Sequence, residues 1–396
     1  MVSRRSLLAA TGVTGVAAAT SPLWARPFIA HADEATPDTC ELVLENSGGG
    51  NLNAYITGHE FGTDKWLLVK ADSSKYYLQD TSTPQTPLPE DCSIPVGAST
   101  SVTLPRMYGA RIYFVRDDKL EFFVNPGPAL VEPAFATSAD ANFHKVWSFC
   151  EFTFNDQQLF ANISYVDLVT GLPIGMTLEG DGSHTVDPLP GDALDKIASD
   201  LKAQASADGK PWDKLILTGD GGGLLRAVSP QGLGSDNFGD YWNSYVDQVW
   251  QKYAGEDLKV DIQGGGGVFT GRVSGDTLTF NDGYAFGKPN TADIFTCNSG
   301  PFANNPSDPD PKKGILARLA AAFNRSTLLD FPDQPGGPAP SDFYKGDITN
   351  HWARIVHAHS PIGYAFPYDD VVGDGDPDQS GAANDGNPRR WTVKAG

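Results

Sequence analysis

Two carboxylates stand within one short stretch of this chain, on segments that read as neighbouring strands. Phe149-Cys150-Glu151-Phe152-Thr153-Phe154-Asn155 has strand character, and Ile163-Ser164-Tyr165-Val166-Asp167 reads as the next strand. Period-two alternation puts Phe149, Glu151, Thr153 and Asn155 on one face and Cys150, Phe152 and Phe154 on the core face. If Asn155 pairs with Asn162, Glu151 lies opposite Val166, one step from Asp167. That is the inventory of glycoside hydrolysis: one carboxyl protonates the leaving oxygen, and the other acts as base on water or as nucleophile. Phe149 and Phe152 flank Glu151, an apolar setting expected to raise its pKa. The bland alternative is a pair of ordinary strand carboxylates satisfied by neighbouring donors, and spacing alone favours it.

Other chemistries find less support. There is no G-x-S-x-G elbow, and His59-Glu60 does not continue into HExxH. His357 and His359 stand at a helix end, where the two side chains point different ways, so a shared metal is not expected. Gly221–Gly223 and Gly264–Gly267 lack the Lys-Ser/Thr of a phosphate loop. Asp374-Gly375-Asp376-Pro377-Asp378 starts like a calcium loop, but Gln379 stands where the turn wants Gly and Asp385 where it wants Glu. A solvated acidic loop explains it better. Asn162-Ile163-Ser164 and Asn324-Arg325-Ser326 fit the glycosylation sequon. No metal or cofactor is expected.

The elements that must position the carboxylates fall into three regions. From Cys40 to about Gly180, short β-rich runs such as 102–104, 111–115 and 120–124 are separated by Gly, Pro, Asn and Asp, which predicts a sandwich or barrel. From about Asp187 to Asp342 the pattern is mixed α/β. Leu194, Ile197, Ala198 and Leu201 trace one helical stripe, Tyr241 to Tyr253 a second and Ile315 to Phe323 a third. Strands are expected at 215–217 and 276–280. The aromatic residues of the second stripe could stack on sugars, but a helix core is the better reading at that spacing. From about Ser341 a last helix near Ile348–Ala358 leads to a Gly/Asp-rich loop and a strand at Arg390–Val393 that could return to the first sheet.

Composition narrows the partners. The 396 residues include 49 acidic and 29 basic side chains, a net charge of −20. Such a chain repels phosphate backbones, anionic membranes and acidic polysaccharides, and leaves a neutral partner open. Residues 1–32 read as a leader: Ser3-Arg4-Arg5-Ser6-Leu7-Leu8 resembles a twin-arginine export motif, and Ala30-His31-Ala32 a cleavage site. Secretion after cleavage near Ala32 is therefore expected, with no membrane span. Export would make Cys40, Cys92, Cys150 and Cys297 available for two disulfides; Cys40–Cys92 and Cys150–Cys297 is one of three possible pairings, and the spacing does not decide among them.

The carboxylate segment, continued into Gly171-Leu172-Pro173-Ile174, resembles the central block of thaumatin-like proteins. Pro361-Ile362-Gly363-Tyr364-Ala365-Phe366-Pro367-Tyr368-Asp369-Asp370 resembles their C-terminal block, with Ser360-Pro361 where that family has Cys-Pro. Together with the helix-rich middle, the chain is most similar to glycoside hydrolase family 64, the β-1,3-glucanases that release laminaripentaose. The resemblance implies a mainly β fold with α/β: a thaumatin-like β-sandwich or barrel domain (33–186 and 343–396) with an inserted mixed α/β domain (187–342) forming a wide groove. It implies Glu151 as general acid and Asp167 as general base of an inverting mechanism. Thr153, Asn155, Phe160 and Tyr165 would line the groove, with Phe160 where members of the family tend to have Trp. Glu132 and Asp140 are further carboxylates expected to tune the pair. The implied partner is neutral β-1,3-glucan, and the expected state is a monomer. A secreted thaumatin-like protein that binds glucan without cutting it is the alternative.

Overall fold

The computed structural model describes residues 35–360, 362–377 and 379–396. The leader expected at 1–32 lies outside the described residues, as do Pro361 and Asp378.

The strands that matter for the site are short alternating runs. In chain order they are β1 (Thr39–Asn46), β2 (Leu52–Glu60), β3 (Trp66–Val69), β4 (Lys75–Tyr77), β5 (Ile94–Val96), β6 (Thr100–Pro105), β7 (Met107–Arg116), β8 (Trp147–Phe154) and β9 (Leu159–Asn162). Then come β10 (Leu168–Thr170), β11 (Ile174–Glu179), β12 (Ser183–Val186), β13 (Leu224–Val228), β14 (Ala382–Asp385) and β15 (Arg390–Ala395). One sheet has the order β12-β11-β15-β1-β6. The other runs β14-β9-β8-β7-β2-β3-β4, with β5 paired to β2. Leu42 and Leu44 of β1 and Trp391 and Val393 of β15 point inward at every second position. Phe152 of β8 meets Trp391 edge-on at 5.2 Å, so the two sheets face each other over a shared apolar core. As the sequence predicts, the strand at the end of the chain returns to the first sheet. There β15 lies parallel to β1 and antiparallel to β11.

The middle of the chain supplies helices α1 (Ala193–Asp208), α2 (Asn243–Gly255) and α3 (Asp310–Arg325), and α4 (His351–His359) follows. The three predicted stripes are buried: Leu194, Ile197, Ala198 and Leu201 in α1, Tyr245 to Tyr253 in α2, and Ile315 to Phe323 in α3. Trp242, Trp250 and Tyr253 are therefore core residues. Beside these helices lies a sheet of five short strands, Leu258–Asp261, Val268–Ser274, Thr277–Phe280, Ala285–Gly287 and Asp333–Gln334. Helix α4 starts three residues later than Ile348, because Asn350 accepts from the Ala353 amide at 3.1 Å and so caps it. Among the described residues no helix is long and apolar enough to cross a membrane.

Two expectations are corrected. The run 120–124 is a strand only from Phe123 onward, to Asn125; before that, Leu120 donates its amide to the Tyr55 hydroxyl at 3.2 Å and Phe122 packs on Tyr55 and Tyr113. The four cysteines are buried free thiols, not the disulfides Cys40–Cys92 and Cys150–Cys297. Cys150 sits inside the β core, whereas Cys297 belongs to the helical region, where it donates to the Ile294 carbonyl and accepts from Asn324. Burial pushes the Cys40 and Cys92 thiols up to about 12, which keeps them protonated and unreactive.

Candidate active site

Strand register builds the centre of the site. Across four neighbouring antiparallel strands, Thr57 of β2 stands opposite Arg111 of β7, Arg111 opposite Glu151 of β8, and Glu151 opposite Asn162 of β9. Residues directly opposite in such ladders project to the same face, so the four form one polar row on the side away from the core. Arg111 holds the row together. Its Nε and Nη2 donate to Glu151 Oε1 at 3.2 and 3.1 Å, and its Nη1 donates to Glu132 Oε2 at 3.1 Å and to the Tyr113 hydroxyl at 3.2 Å. Thr57 donates to the other Glu132 oxygen at 3.0 Å. The guanidinium lies 4.6 Å from the centre of the Phe149 ring, a cation–π contact that fixes its plane. Burial works against the Arg111 charge, but Tyr113, Glu132, Glu151 and Asp167 more than offset it, and its pKa lies well above the ordinary value.

Glu151 therefore does not sit in the apolar setting expected from its phenylalanine neighbours; its Oε1 takes two donors of one cation. The hairpin register differs too. The turn closes early, with Phe154 opposite Leu159 and the Asn155 amide donating to Gln158 O at 3.0 Å, so Asn162 and not Val166 faces Glu151. The chain then leaves the sheet, and 163–167 is not a strand of it. Ser164 forms a single bridge with Tyr364, and the Tyr165 amide donates to Tyr364 O at 2.6 Å. Trp352 of α4 donates its indole N–H to Tyr165 O at 3.1 Å. A Cβ on Gly363 would lie 2.3 Å from the Tyr165 ring, so only glycine permits this packing. The two sequence blocks that carry the family resemblance thus meet here.

Asp167 is delivered by this detour. It precedes β10, which pairs with β13, and its carbonyl accepts from the Ser229 amide at 2.9 Å. The carboxylate is 5% exposed, and its Oδ1 has no hydrogen-bond partner among the described residues. Burial raises its pKa to about 6; Arg111 pulls it down, while Glu151 and Glu132 push it up. The same β13 carries Arg226, buried to 1% exposure, which donates to the carbonyls of Phe135 and Lys145 at 3.2 and 2.9 Å and lies over Trp147. Arg226 so clamps the loop that bears Glu132. Asp140 serves that loop as well, accepting from the Ala134 and Asn142 amides.

Thr153 and Phe160 are directly paired and share the face of Glu151, one pair further along. Asn155 is used in the turn, where its Oδ1 accepts from the Gln157 and Gln158 amides. Tyr165 is buried under Gly363. Sequence reasoning missed Arg111, Thr57 and Tyr113. The available signal was a lone cation inside the apolar run Ala110-Arg111-Ile112-Tyr113-Phe114, in phase with a tyrosine. His357 and His359 turn to different carboxylates, Asp369 and Asp200, each at 2.7 Å. No group of three or more potential metal ligands occurs among the described residues.

A family model described as Glyco_hydro_64, Beta-1,3-glucanase, matches residues 38–395. A Glucan endo-1,3-beta-glucosidase of Cellulosimicrobium cellulans is 28% identical over 395 residues, covering 92% of this chain; the chain spans 66% of the length of that protein. Among solved structures, a laminaripentaose-producing beta-1,3-glucanase in complex with laminaritetraose superimposes with a TM-score of 0.79 at 31% identity, over 91% of this chain and 99% of that one. A GH64 beta-1,3-glucanase domain from Clostridium beijerinckii has the same fold, with a TM-score of 0.71 at 22% identity over 92% of this chain and all of that one. The mixed, mainly stranded architecture with several sheets is that of these structures.

Proposed function

The chain belongs to glycoside hydrolase family 64, the β-1,3-glucanases, and from that premise we propose that it is a secreted enzyme that hydrolyses neutral β-1,3-glucan by inversion and releases laminaripentaose. In this reading 33–186 and 343–396 form a thaumatin-like domain, 187–342 the inserted α/β domain, and the glucan lies in the groove between them. A monomer suffices, and the leader at 1–32 directs export.

Glu151 donates the proton to the glycosidic oxygen, and Asp167 takes one from the water that attacks the opposite face of the anomeric carbon. The observation that carries the reading is Asp167. It is a buried carboxylate with one unpartnered oxygen, tuned to about 6 beside a cluster of two further carboxylates and one guanidinium. A general base works best with a pKa near the working pH. Arg111 and Thr57 keep Glu132 in place, and Arg111 fixes the side chain of Glu151; in the reactive state Glu151 carries the proton and Asp167 is ionised. Thr153 and Phe160 close one end of the groove and set product length.

The test is to incubate the mature protein with insoluble linear β-1,3-glucan, with Glu151→Gln and Asp167→Asn as controls, and to separate soluble products by size. A dominant five-sugar product, absent with both variants, supports the reading. Retention on the glucan without sugar release, equal in all three proteins, would replace it with a glucan-binding protein.

A further inference from the structure

Three rings stand in a second row on the face that carries Arg111 and Glu151. Register pairs Trp66 of β3 with His59 of β2, and His59 with Tyr108 of β7. A bulge creates the row. Between Thr57↔Arg111 and His59↔Tyr108, β2 advances two residues and β7 three, so one extra residue is absorbed in β7. Gly109 makes this possible with φ 53, in the left-handed region, and Gly58 leaves room for Ala110, whose Cβ would lie 2.7 Å from any Cβ added there. Without the bulge, Tyr108 would point into the core.

The rings form a fixed stack. Trp66 and His59 have centroids 4.0 Å apart, and His59 and Tyr108 5.2 Å apart with planes only 20° from parallel. His59 Nδ1 lies 3.2 Å from the Asp64 carbonyl oxygen, which anchors the imidazole edge. All three rings are half-buried, with part of each left at the surface. The end of β2 is held by Glu60, which accepts from Lys75, Thr63 and Tyr77.

A pyranose ring presents C–H faces and hydroxyl rims, the complement of preorganised aromatic rings with polar edges. Asp64 and Glu60 beside the stack disfavour anionic sugars. We propose that Trp66, His59 and Tyr108 form a stacking subsite for the glucan chain, continuous with the row of Arg111 and Glu151. The proposal rests on the glucanase reading. Trp66 stands one row (about 7 Å along the strands) and three strand spacings (about 14 Å across them) from Glu151, so the stack grips sugars away from the bond that breaks and favours long chains.

The test uses Trp66→Ala, Trp66→Phe and Tyr108→Ala. The expected result is a KM for insoluble β-1,3-glucan raised about tenfold by either alanine variant, with kcat within about twofold, and with Trp66→Phe intermediate. The loss in kcat/KM should shrink as the substrate is shortened to four sugars. Unchanged KM values would overturn the subsite, as would losses independent of chain length with Trp66→Phe no better than Trp66→Ala. If the parent protein releases no sugar, it is the glucanase reading that fails, and binding decides the subsite separately: a Glu151→Gln protein retained on the glucan, and released when Trp66→Ala is added, supports it. Equal retention, or none, refutes it.

Discussion

Replacing Asp167 by asparagine is expected to make the fold more stable at neutral pH while removing activity. The side chain is buried, and burial lifts its pKa from 3.8 to about 6. A carboxyl whose folded-state value lies above its unfolded value stabilises the fold below the unfolded value, and that contribution is lost as pH rises through the folded one. At about 1.36 kcal/mol per pH unit, the gap corresponds to about 3 kcal/mol. Above pH 6 the wild-type protein therefore carries an ionised Asp167 at a cost of about 3 kcal/mol that asparagine does not incur. The amide brings its own packing change, but that change is independent of pH. The measurement is denaturant unfolding of both proteins at about pH 4, 5, 6 and 8, followed by tryptophan fluorescence. The stability of Asp167→Asn relative to wild type should grow by about 2.5 kcal/mol across that range, most of it below pH 7. A difference that stays flat with pH would refute the reasoning, because it would mean that the environment does not disfavour the ionised carboxylate. In the proposed mechanism the same residue sets the acid limb of catalysis. As a base it must be ionised, so kcat/KM should fall below about pH 6, and full activity at pH 4 would contradict the assignment.

Three further outcomes follow from the site. Glu151→Gln removes the donated proton and should lower the initial rate of sugar release about 100- to 10,000-fold; a wild-type rate would unseat it as acid. Arg111→Lys keeps the charge but not the fork that reaches Glu132 and Glu151 together, so kcat should drop about tenfold or more with KM little changed, and unaltered kinetics would show that the fork is dispensable. Gly58→Ala should destabilise by about 1–3 kcal/mol through the clash with Ala110, read as a lower denaturation midpoint; an unmoved midpoint would mean that the bulge relaxes freely.

Much of this architecture is legible in residue order. Alternation exposes β8 and β15, and every residue of the predicted stripes is buried, although Tyr241 and Trp242 precede α2 and α3 is buried all round from Gly314 to Arg325. What escapes is whatever depends on partners distant in sequence. The hairpin after β8 closes at Asn155–Gln158 because Asn155 satisfies two turn amides at once, a local bond that alternation does not report. The path of 163–167 is decided by Tyr364, Trp352 and Gly363, nearly 200 residues away. Arg111 reads as an odd charge in an apolar strand until the register brings Glu151 and Glu132 to it. The cysteines are misleading for a different reason. Pairing them by order ignores that Cys150 sits in a β strand opposite Ile112, whereas Cys297 packs against Ile294 and Asn324 in the helical region.

The position of β15 has a consequence for how the protein is made. It lies between β11 and β1 in its sheet, yet in chain order it comes long after both. Until residues 390–395 emerge, β1 and β11 each present an unpaired edge, and Phe152 lacks the Trp391 ring it packs against. The layer beneath Glu151 therefore cannot close on a nascent chain. Folding waits for contacts of very long sequence separation, which are slow to form, and in that interval the bare edges are where a chaperone would have to act. Removing 390–396 should cost the whole β sandwich and not merely a frayed end, and the carboxylate site would come into being only once β15 has slotted into place.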